Sequence, residues 1–224
     1  ALALAFEDLE LLRRISEGTP SNPTDLQGLL LLIRYVRGLL RGSHDEAAAD
    51  ALLDEEIEVC RALSRLKELS MDDLRTQIDA VSRAMDVALT KGDLNKGLEL
   101  AVENAQLRKQ LASANGGRWE TDNALLAALA TAGSLATDLG QLTRAEELLS
   151  EAERGSAFLR KAYRGPDTDN QWEAVRNRIG KVALSRGDNG AARTVFEDVL
   201  QRRKRRFFAE SDRNLARYGL AVSE

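Results

Sequence analysis

The chain has 224 residues, of which 43% are hydrophobic, 4% aromatic and 30% charged, with a formal net charge of −4. Its single cysteine, Cys60, excludes an internal disulfide and favours a reducing compartment. No segment reaches the roughly 18 apolar residues of a membrane span, and no basic leader precedes an apolar stretch, so we expect a cytoplasmic protein. A cleaved export signal would leave the same sequence and stays an alternative.

Apolar residues at helical spacing predict helices along the whole chain, and no alternating β-branched run predicts a strand. The predicted helices cover about 2–16, 24–41, 44–69, 70–91, 93–113, 119–139, 142–163, both sides of Gly187, and a further helix from about 211 to 222. Segments rich in glycine, proline and asparagine separate them. The sequence therefore predicts an all-α chain of about nine helices.

One glycine recurs at nearly constant spacing. Gly42, Gly92, Gly140 and Gly187 are separated by 50, 48 and 47 residues. A small residue stands four positions before each of these glycines, at Gly38, Ala88, Ala136 and Ala183. Another stands five positions after each of them, at Ala47, Gly97, Ala145 and Ala192. Small residues on both sides of a tight turn indicate two closely packed antiparallel helices, and a period of roughly 20 to 50 residues is typical of a stacked array.

Two more positions complete the pattern. Seven residues before the glycines stand Tyr35, Met85, Gly133 and Gly180, and nine residues after them stand Ala51, Ala101, Leu149 and Phe196. Together these positions resemble the tetratricopeptide repeat (TPR) superfamily, in its bacterial form with a long period of about 47 to 50 residues. The resemblance implies a right-handed α-solenoid of antiparallel helix pairs that binds other proteins.

The glycine frame predicts one array that fills the chain. Residues 24–69, 70–117, 118–165 and 166–210 are expected to form four repeats. Residues 1–23 would be the second helix of a preceding repeat, and residues 211–224 the first helix of a following one. We therefore expect the array to be part of a larger protein.

Side chains that could form a catalytic or metal site are scarce in the sequence. The single histidine, His44, is expected to be a solvated turn residue, and Cys60 a small buried hydrophobic residue. One histidine and one cysteine cannot form a zinc cluster, and no glycine turn has the spacing of a phosphate-binding loop. The sequence predicts a protein that is not an enzyme and needs neither cofactor nor metal.

The resemblance also implies a binding surface. In the TPR superfamily, the first helix of each pair lines a concave face that binds partner peptides. Counting back from the glycines predicts the following residues on that face: Ser82, Asp86, Thr90, Ala130, Ser134, Asp138, Asn177, Lys181 and Ser185, with Arg213 on the last helix. The first repeat would contribute Leu32, Val36 and Leu39. The predicted groove changes from apolar through acidic and hydroxylic to amide and basic.

A run of cations near the end of the chain has two interpretations. Arg202, Arg203, Lys204, Arg205 and Arg206 precede Phe207 and Phe208. They could bind nucleic acid through phosphate contacts and stacking. Alternatively, the cations favour the dipole of a helix C-terminus, and the two phenylalanines pack under the next helix. The net charge of −9 on residues 1–150, against +5 on residues 151–224, argues against nucleic acid as the main partner.

The sequence thus favours a non-catalytic scaffold that binds a peptide or a partner domain. A regulatory or sensor segment of a larger signalling protein is an alternative, and nucleic-acid binding through residues 202–206 is a weaker one. Self-association is a further expectation, because the end helices of an open array expose apolar faces.

Overall fold

The computed structural model describes residues 2–18, 22–66, 70–116, 122–163 and 165–221, with side chains described except at 16–18 and 209–221. All regular secondary structure in these ranges is helical. The helices are α1 (Leu2–Gly18), α2 (Pro23–Gly42), α3 (Glu46–Ala51), α4 (Leu53–Leu66), α5 (Met71–Thr90), α6 (Leu94–Ala114), α7 (Asn123–Asp138), α8 (Leu142–Ala162), α9 (Pro166–Ser185) and α10 (Asn189–Ala221). The predicted all-α fold is confirmed. None of the described helices combines the length and the hydropathy needed to cross a membrane.

The chain divides into two compact units, residues 1–128 and 129–224. In the first unit, α1 to α4 share one core around the fully buried Leu9, Ile33 and Val36. A second core joins α4, α5 and α6 around Ile78 and Val81. In the second unit, α9 packs against both α8 and α10. Each unit is therefore built from helices that contact their neighbours in the sequence.

Local signals fix where the helices begin. At the start of α2, the Asn22 side chain accepts a hydrogen bond from the Thr24 amide at 3.0 Å, and Pro23 occupies the first helical position. Ser70 and Asp73 form a capping box at the start of α5, which satisfies amides that a helix N-terminus leaves without partners. The predicted Arg118-Trp119-Glu120 start of a helix lies outside the described residues.

Four hairpin turns share one hydrogen-bonding pattern. The residues with a left-handed backbone are His44, Gly92, Gly140 and Gly187, with φ of 62°, 77°, 72° and 81°. The residue after each of them donates its amide to a carbonyl five positions earlier, as Asp93 does to Ala88 at 2.9 Å and Asp45 does to Leu40 at 2.9 Å. This is the Schellman arrangement that closes a helix C-terminus.

The turn of the first repeat is placed differently from the prediction. Gly42 is the last residue of α2, and His44 takes the left-handed position, so the turn residues recur at 48, 48 and 47 residues. The packing positions of this repeat are consequently the buried Leu40 and Ala49. The predicted pair, Gly38 and Ala47, is exposed. The glycine frame was right for three repeats and wrong by two residues for the first.

Size complementarity brings the paired helices close together. A Cβ atom added to Gly133 would lie 2.6 Å from Cγ of Leu149, and one added to Gly180 would lie 2.6 Å from Cζ of Phe196. Both glycines stand seven residues before the turn, and their partners stand nine residues after it. The second repeat reverses the sizes, with Met85 before the turn and the buried Ala101 after it. In the corrected frame, the first repeat holds Arg37 and Leu53 at these positions, not Tyr35 and Ala51.

The last helix is longer than predicted. We expected a separate helix from about Ser211, but the backbone of α10 is helical from Asn189 to Ala221 without interruption. No glycine or proline occurs between Ala192 and Tyr218, so nothing in the sequence stops the helix there. The basic run therefore lies in the middle of a helix, and its interpretation as a helix C-terminus is wrong.

Candidate functional site

The first helices of the four hairpins are α2, α5, α7 and α9. We call the residues two, six and ten positions before the left-handed turn residue the first-helix face. Of the predicted site residues on this face, Asp86, Thr90, Asp138, Lys181 and Ser185 are exposed. Ser82, Ser134 and Asn177 are half-buried, and Ala130 is buried. The side chain of Arg213 lies outside the described residues.

The hydroxyl groups of Ser82, Thr90 and Ser134 on this face form hydrogen bonds within the protein. The Ser82 hydroxyl accepts a hydrogen bond from Nδ2 of the buried Asn104 at 2.6 Å. The Ser134 hydroxyl accepts one from Nε of Arg178 at 2.8 Å, and Oγ1 of Thr90 donates to the Asp86 carbonyl at 2.8 Å. The groups of this face that remain free to contact a partner are therefore mainly the exposed charged side chains.

The first repeat contributes different residues from those predicted. Val36 is fully buried, and Leu32 and Leu39 pack against the same core. They lie in the core because the turn is two residues further along the chain. Arg34, Gly38 and Gly42 occupy the face positions of α2. The expectation of an apolar section formed by Leu32, Val36 and Leu39 is wrong.

A pocket rich in arginine opens beside these positions. Its volume is about 400 Å³, and we call it the arginine pocket. It is lined by Leu31, Arg34, Tyr35, Arg37, Gly38 and Arg41 of α2 and by Arg83 of α5. A Cβ atom added to Gly38 would meet nothing within 4 Å, so the space above its backbone is open.

A buried ion pair forms one wall of the arginine pocket. Arg37 is 2% exposed and Glu56 is 1% exposed. Nη1 of Arg37 donates to Oε2 of Glu56, and Nε donates to the Ala49 carbonyl at 3.1 Å. Nη2 of Arg37 is buried and has no hydrogen-bond partner. Burial lowers the pKa of Arg37, and the charges of Arg41 and Arg83 act in the same direction, whereas Glu56 opposes them.

The other arginines of the pocket are only partly neutralised. Nε of Arg34 lies 3.7 Å from Oε1 of Glu56, and Nε of Arg41 lies 3.6 Å from the exposed Glu46. Among the described residues, Arg83 takes part in no ion pair or hydrogen bond. Four guanidinium groups and two carboxylates leave a net charge of +2.

An apolar groove continues from the arginine pocket. Its volume is about 470 Å³, and it lies between α1 and α2. Asp8, Leu11, Leu12, Gly28, Leu31, Leu32 and Tyr35 line it. Leu31 is 66% exposed and Tyr35 is 57% exposed, and both also line the arginine pocket. The pocket and the groove therefore form one continuous surface of the first unit.

Three arginines of the basic run on α10 contact side chains of α9. Nε of Arg203 donates to Oε2 of the buried Glu173 at 2.6 Å, and Nη2 of Arg206 lies 3.5 Å from Oε1 of the same residue. The guanidinium group of Arg202 lies 4.5 Å from the ring centroid of Trp172. These three arginines hold α10 against α9.

The remaining residues of the run point to solvent. Lys204 and Arg205 are exposed, as are Phe207 at 66% and Phe208 at 62%. The expectation that the two phenylalanines pack under a following helix is wrong. Their rings contact each other edge to face, with the centroids 5.9 Å apart.

The described ranges bring together no group of three or more side chains able to hold a metal ion. Cys60 is buried as expected, and burial raises the pKa of its thiol to about 12. This thiol is therefore protonated at neutral pH and is not an activated nucleophile.

Comparison with known proteins gives matches in structure alone. No family model and no curated protein matches the chain. BtubC (BKLC) from P. vanneervenii is similar in structure, with a TM-score of 0.51 and 18% identity over 91% of this chain and 72% of that one. A putative kinesin light chain with TPR-like repeats from Podosopora anserina gives a TM-score of 0.48 and 16% identity over 90% of this chain and 95% of that one. The chain has the TPR-like helical repeat fold.

Proposed function

We propose that this chain is a non-catalytic protein-interaction scaffold in which the first-helix positions of each compact unit bind a peptide or a partner domain. One observation carries the proposal: the positions four before and five after the turn hold alanine or glycine throughout the last three repeats, whereas the positions of the first-helix face differ. The position six residues before the turn holds Gly38, Asp86, Ser134 and Lys181. Selective recognition requires surface residues that differ between repeats while the packing that positions them is retained.

The charges on this face support the same function. Asp86 and Lys181 are exposed, and neither has an ion-pair partner among the described residues. Since these charges do not stabilise the fold through a pair, substitution should leave the helices intact. Rim charges of this kind mainly set partner choice and association rate.

A pull-down with charge-reversed variants tests the proposal. We expect Asp86→Lys, Lys181→Glu and the double variant to lose partners that the wild type retains, by at least about tenfold in recovered amount. Glu99→Lys on α6 and Arg154→Glu on α8 are matched controls, because both residues are exposed and lie on second helices. Quantitative mass spectrometry compares the recovered proteins. Identical partner lists for the double variant and the wild type would rule out this face.

Nucleic-acid binding is a second candidate, favoured by the exposed Phe207 and Phe208 beside Lys204 and Arg205. It is the weaker one, because the other three cations of the run contact acidic or aromatic side chains. Fluorescence anisotropy with a single-stranded oligonucleotide at about 50 mM salt tests it. Binding that falls steeply with salt and is lost in Lys204→Glu/Arg205→Glu would support it, and no measurable binding would exclude it.

A further inference from the structure

We infer that the arginine pocket binds the phosphate group of a phosphorylated side chain in a partner protein. This inference rests on the proposed function, because the pocket includes the part of the first-helix face that the first repeat contributes. It specifies which chemical group of a partner this surface would bind.

The pocket holds an unusual number of guanidinium groups. Arg34, Arg37, Arg41 and Arg83 surround one cavity of about 400 Å³, and Arg83 has no partner among the described residues. Guanidinium groups present forked donors that match phosphate and carboxylate oxygens, and clusters of arginine recognise phosphorylated and acidic motifs. The open space over Gly38 leaves room for such a group beside the backbone of α2.

The charge of the pocket favours phosphate over carboxylate. Glu56 and Glu46 neutralise two of the four guanidinium groups, so the pocket keeps a net charge of +2. A carboxylate would neutralise half of this charge. A phosphate monoester carries about −1.5 to −2 at neutral pH and has three acceptor oxygens, so it matches both the charge and the number of donors.

Arg37 gives a second observation that is independent of the exposed arginines. Two of its nitrogens bond to Glu56 and Ala49, whereas Nη2 is buried without a partner. Such a buried, unsatisfied donor on a residue that lines the pocket is unfavourable in the empty protein. The charges of Arg41 and Arg83 also lower the pKa of Arg37. An anion in the pocket would offset this repulsion, so part of its binding free energy comes from relief of an unfavourable arrangement.

The apolar groove identifies the source of the phosphate as a protein. It joins the arginine pocket at Leu31 and Tyr35 and adds about 470 Å³ of largely apolar space. A free phosphate ester would leave this groove empty. A peptide can place its phosphate among the arginines and an apolar neighbouring side chain against Leu11 and Leu31, which are both exposed.

Isothermal titration with defined probes tests the inference on the whole chain. The first probe is the capped peptide Ala-Leu-pSer-Leu-Ala, and the comparison probes are its glutamate and unphosphorylated serine counterparts and phenyl phosphate. We expect saturable binding of the phosphopeptide, at least about tenfold tighter than the glutamate peptide and phenyl phosphate. Arg83→Gln should weaken it by at least about tenfold. Leu31→Ala should weaken it by about fivefold through lost apolar contact.

Lys91→Gln is the matched control, because it removes one cation from an exposed position of the same unit outside the pocket. It should change phosphopeptide affinity by less than about twofold. Equal affinity for the glutamate peptide would overturn the assignment to phosphate. Equal affinity for phenyl phosphate would overturn the assignment to a protein segment. Unchanged affinity in Arg83→Gln, or the absence of saturable binding, would overturn the site itself.

The phosphopeptide titration and the pull-down test different residues, so one can fail while the other succeeds. Asp86 and Lys181 do not line the arginine pocket. If these variants lose partners but the phosphopeptide does not bind, only the ligand chemistry is wrong. If the phosphopeptide binds as expected but partner lists stay identical, the remainder of the first-helix face is wrong.

Discussion

His44 adopts the backbone conformation that glycine adopts in the other three turns. Its φ is 62°, against 72° to 81° for Gly92, Gly140 and Gly187. A Cβ atom in this region crowds the neighbouring carbonyl, which costs roughly 1 kcal/mol or more. The turn keeps its hydrogen bonds nevertheless, since Asp45 still donates to the Leu40 carbonyl at 2.9 Å.

We therefore expect His44→Gly to raise the free energy of unfolding by up to about 1 kcal/mol, because relief of the crowding exceeds the added chain entropy. Gly140→Ala is the matched change in the opposite direction and should lower the free energy of unfolding by about 1 kcal/mol. Urea unfolding followed by circular dichroism measures both. A loss of stability in His44→Gly would show that the imidazole makes a stabilising contact.

Cys60 links stability to pH. Burial raises the pKa of its thiol to about 12, whereas an unfolded cysteine titrates near 8.5. The unfolded chain therefore releases this proton first as the pH rises, so the stabilisation is complete below about pH 8.5 and is lost progressively above it.

Between pH 8.5 and 10, we expect the wild type to lose about 2 kcal/mol of unfolding free energy that Cys60→Ala does not lose. The comparison uses the slopes of stability against pH, because Cys60→Ala also changes the packing of the core. Urea unfolding at several pH values measures these slopes. Parallel slopes for the two proteins would contradict the raised pKa.

The turn of the first repeat lies two residues after the predicted position. The recurring glycine predicted Gly42 as the turn residue, because residues other than glycine are uncommon in the left-handed conformation. The pair His44-Asp45 nevertheless matches Gly92-Asp93 and Gly187-Asp188, where the aspartate caps the following helix. The capping aspartate marks the first turn where the glycine does not, whereas Gln141 replaces it in the third turn and makes no side-chain cap.

At the scale of the helices, the last two hairpins each pair a glycine with a large side chain of the facing helix. In the last repeat, the ring of Phe196 fills the space that a Cβ atom at residue 180 would need, at 2.6 Å. A phenyl ring cannot bend away as a long aliphatic chain can, so the backbone or the ring must shift if a methyl group is added. Gly28 offers a contrast, because a Cβ atom there would lie 4.0 Å from Leu12.

We expect Gly180→Ala to lower the free energy of unfolding by about 1 to 2 kcal/mol, because overpacking outweighs the gain in helix propensity. Gly28→Ala is the matched control and should raise it by about 0.5 to 1 kcal/mol, since it adds propensity without a clash. Thermal and urea unfolding measure both changes.

Phe196→Leu should destabilise the wild type but partly rescue Gly180→Ala, because the smaller side chain frees the space that the new methyl group takes. A double-mutant cycle isolates this coupling. Additive effects of the two substitutions would show that the contact does not limit the approach of α9 and α10.

Helix α10 continues through the position at which the sequence predicted a new helix. The sequence predicts a separate helix from about Ser211, and Ser211 and Asp212 are residue types favoured at N-caps. Serine and aspartate are also tolerated within a helix, and no glycine or proline interrupts α10 there. An N-cap residue without a preceding stop signal does not define a new helix.

At the scale of the whole chain, each unit contains a buried side chain whose exposure can be followed during unfolding. Cys60 and the buried ion pair of Arg37 and Glu56 belong to the first unit. Trp172 is buried in the second unit, between Arg160 and Arg202. In helical repeat proteins, a helix contacts mainly its neighbours in the sequence, so a local change acts first on its own surroundings.

We expect Glu56→Ala to destabilise the first unit by about 3 kcal/mol, because it leaves the charge of Arg37 buried and unpaired. Pulsed labelling of Cys60 should therefore begin at a lower urea concentration. Trp172 fluorescence, followed in a Trp119→Phe background, should change its midpoint much less. Equal shifts of both signals would show that the chain unfolds as one cooperative block.

The proposed binding surface was only partly predictable from the sequence. The frame of three repeats placed Asp86, Asp138 and Lys181 on an exposed face, because three glycine turns fix the rotation of α5, α7 and α9. Tyr35 was missed, because the misplaced first turn assigned it to a packing position between paired helices. The arginine pocket was also missed, since Arg34 and Arg83 are far apart in the sequence and line the same cavity only in the folded chain.

The matched pairs across each turn also limit how such a chain can diversify. Met85 and Ala101 in one repeat fill the same space as Gly180 and Phe196 in another, with the large residue on opposite helices. A recombination that exchanged single helices would bring Met85 against Phe196, or leave Gly180 facing Ala101 across an empty space. An exchange of whole hairpins preserves every pair. The hairpin is therefore the smallest unit of this chain whose exchange leaves these pairs intact.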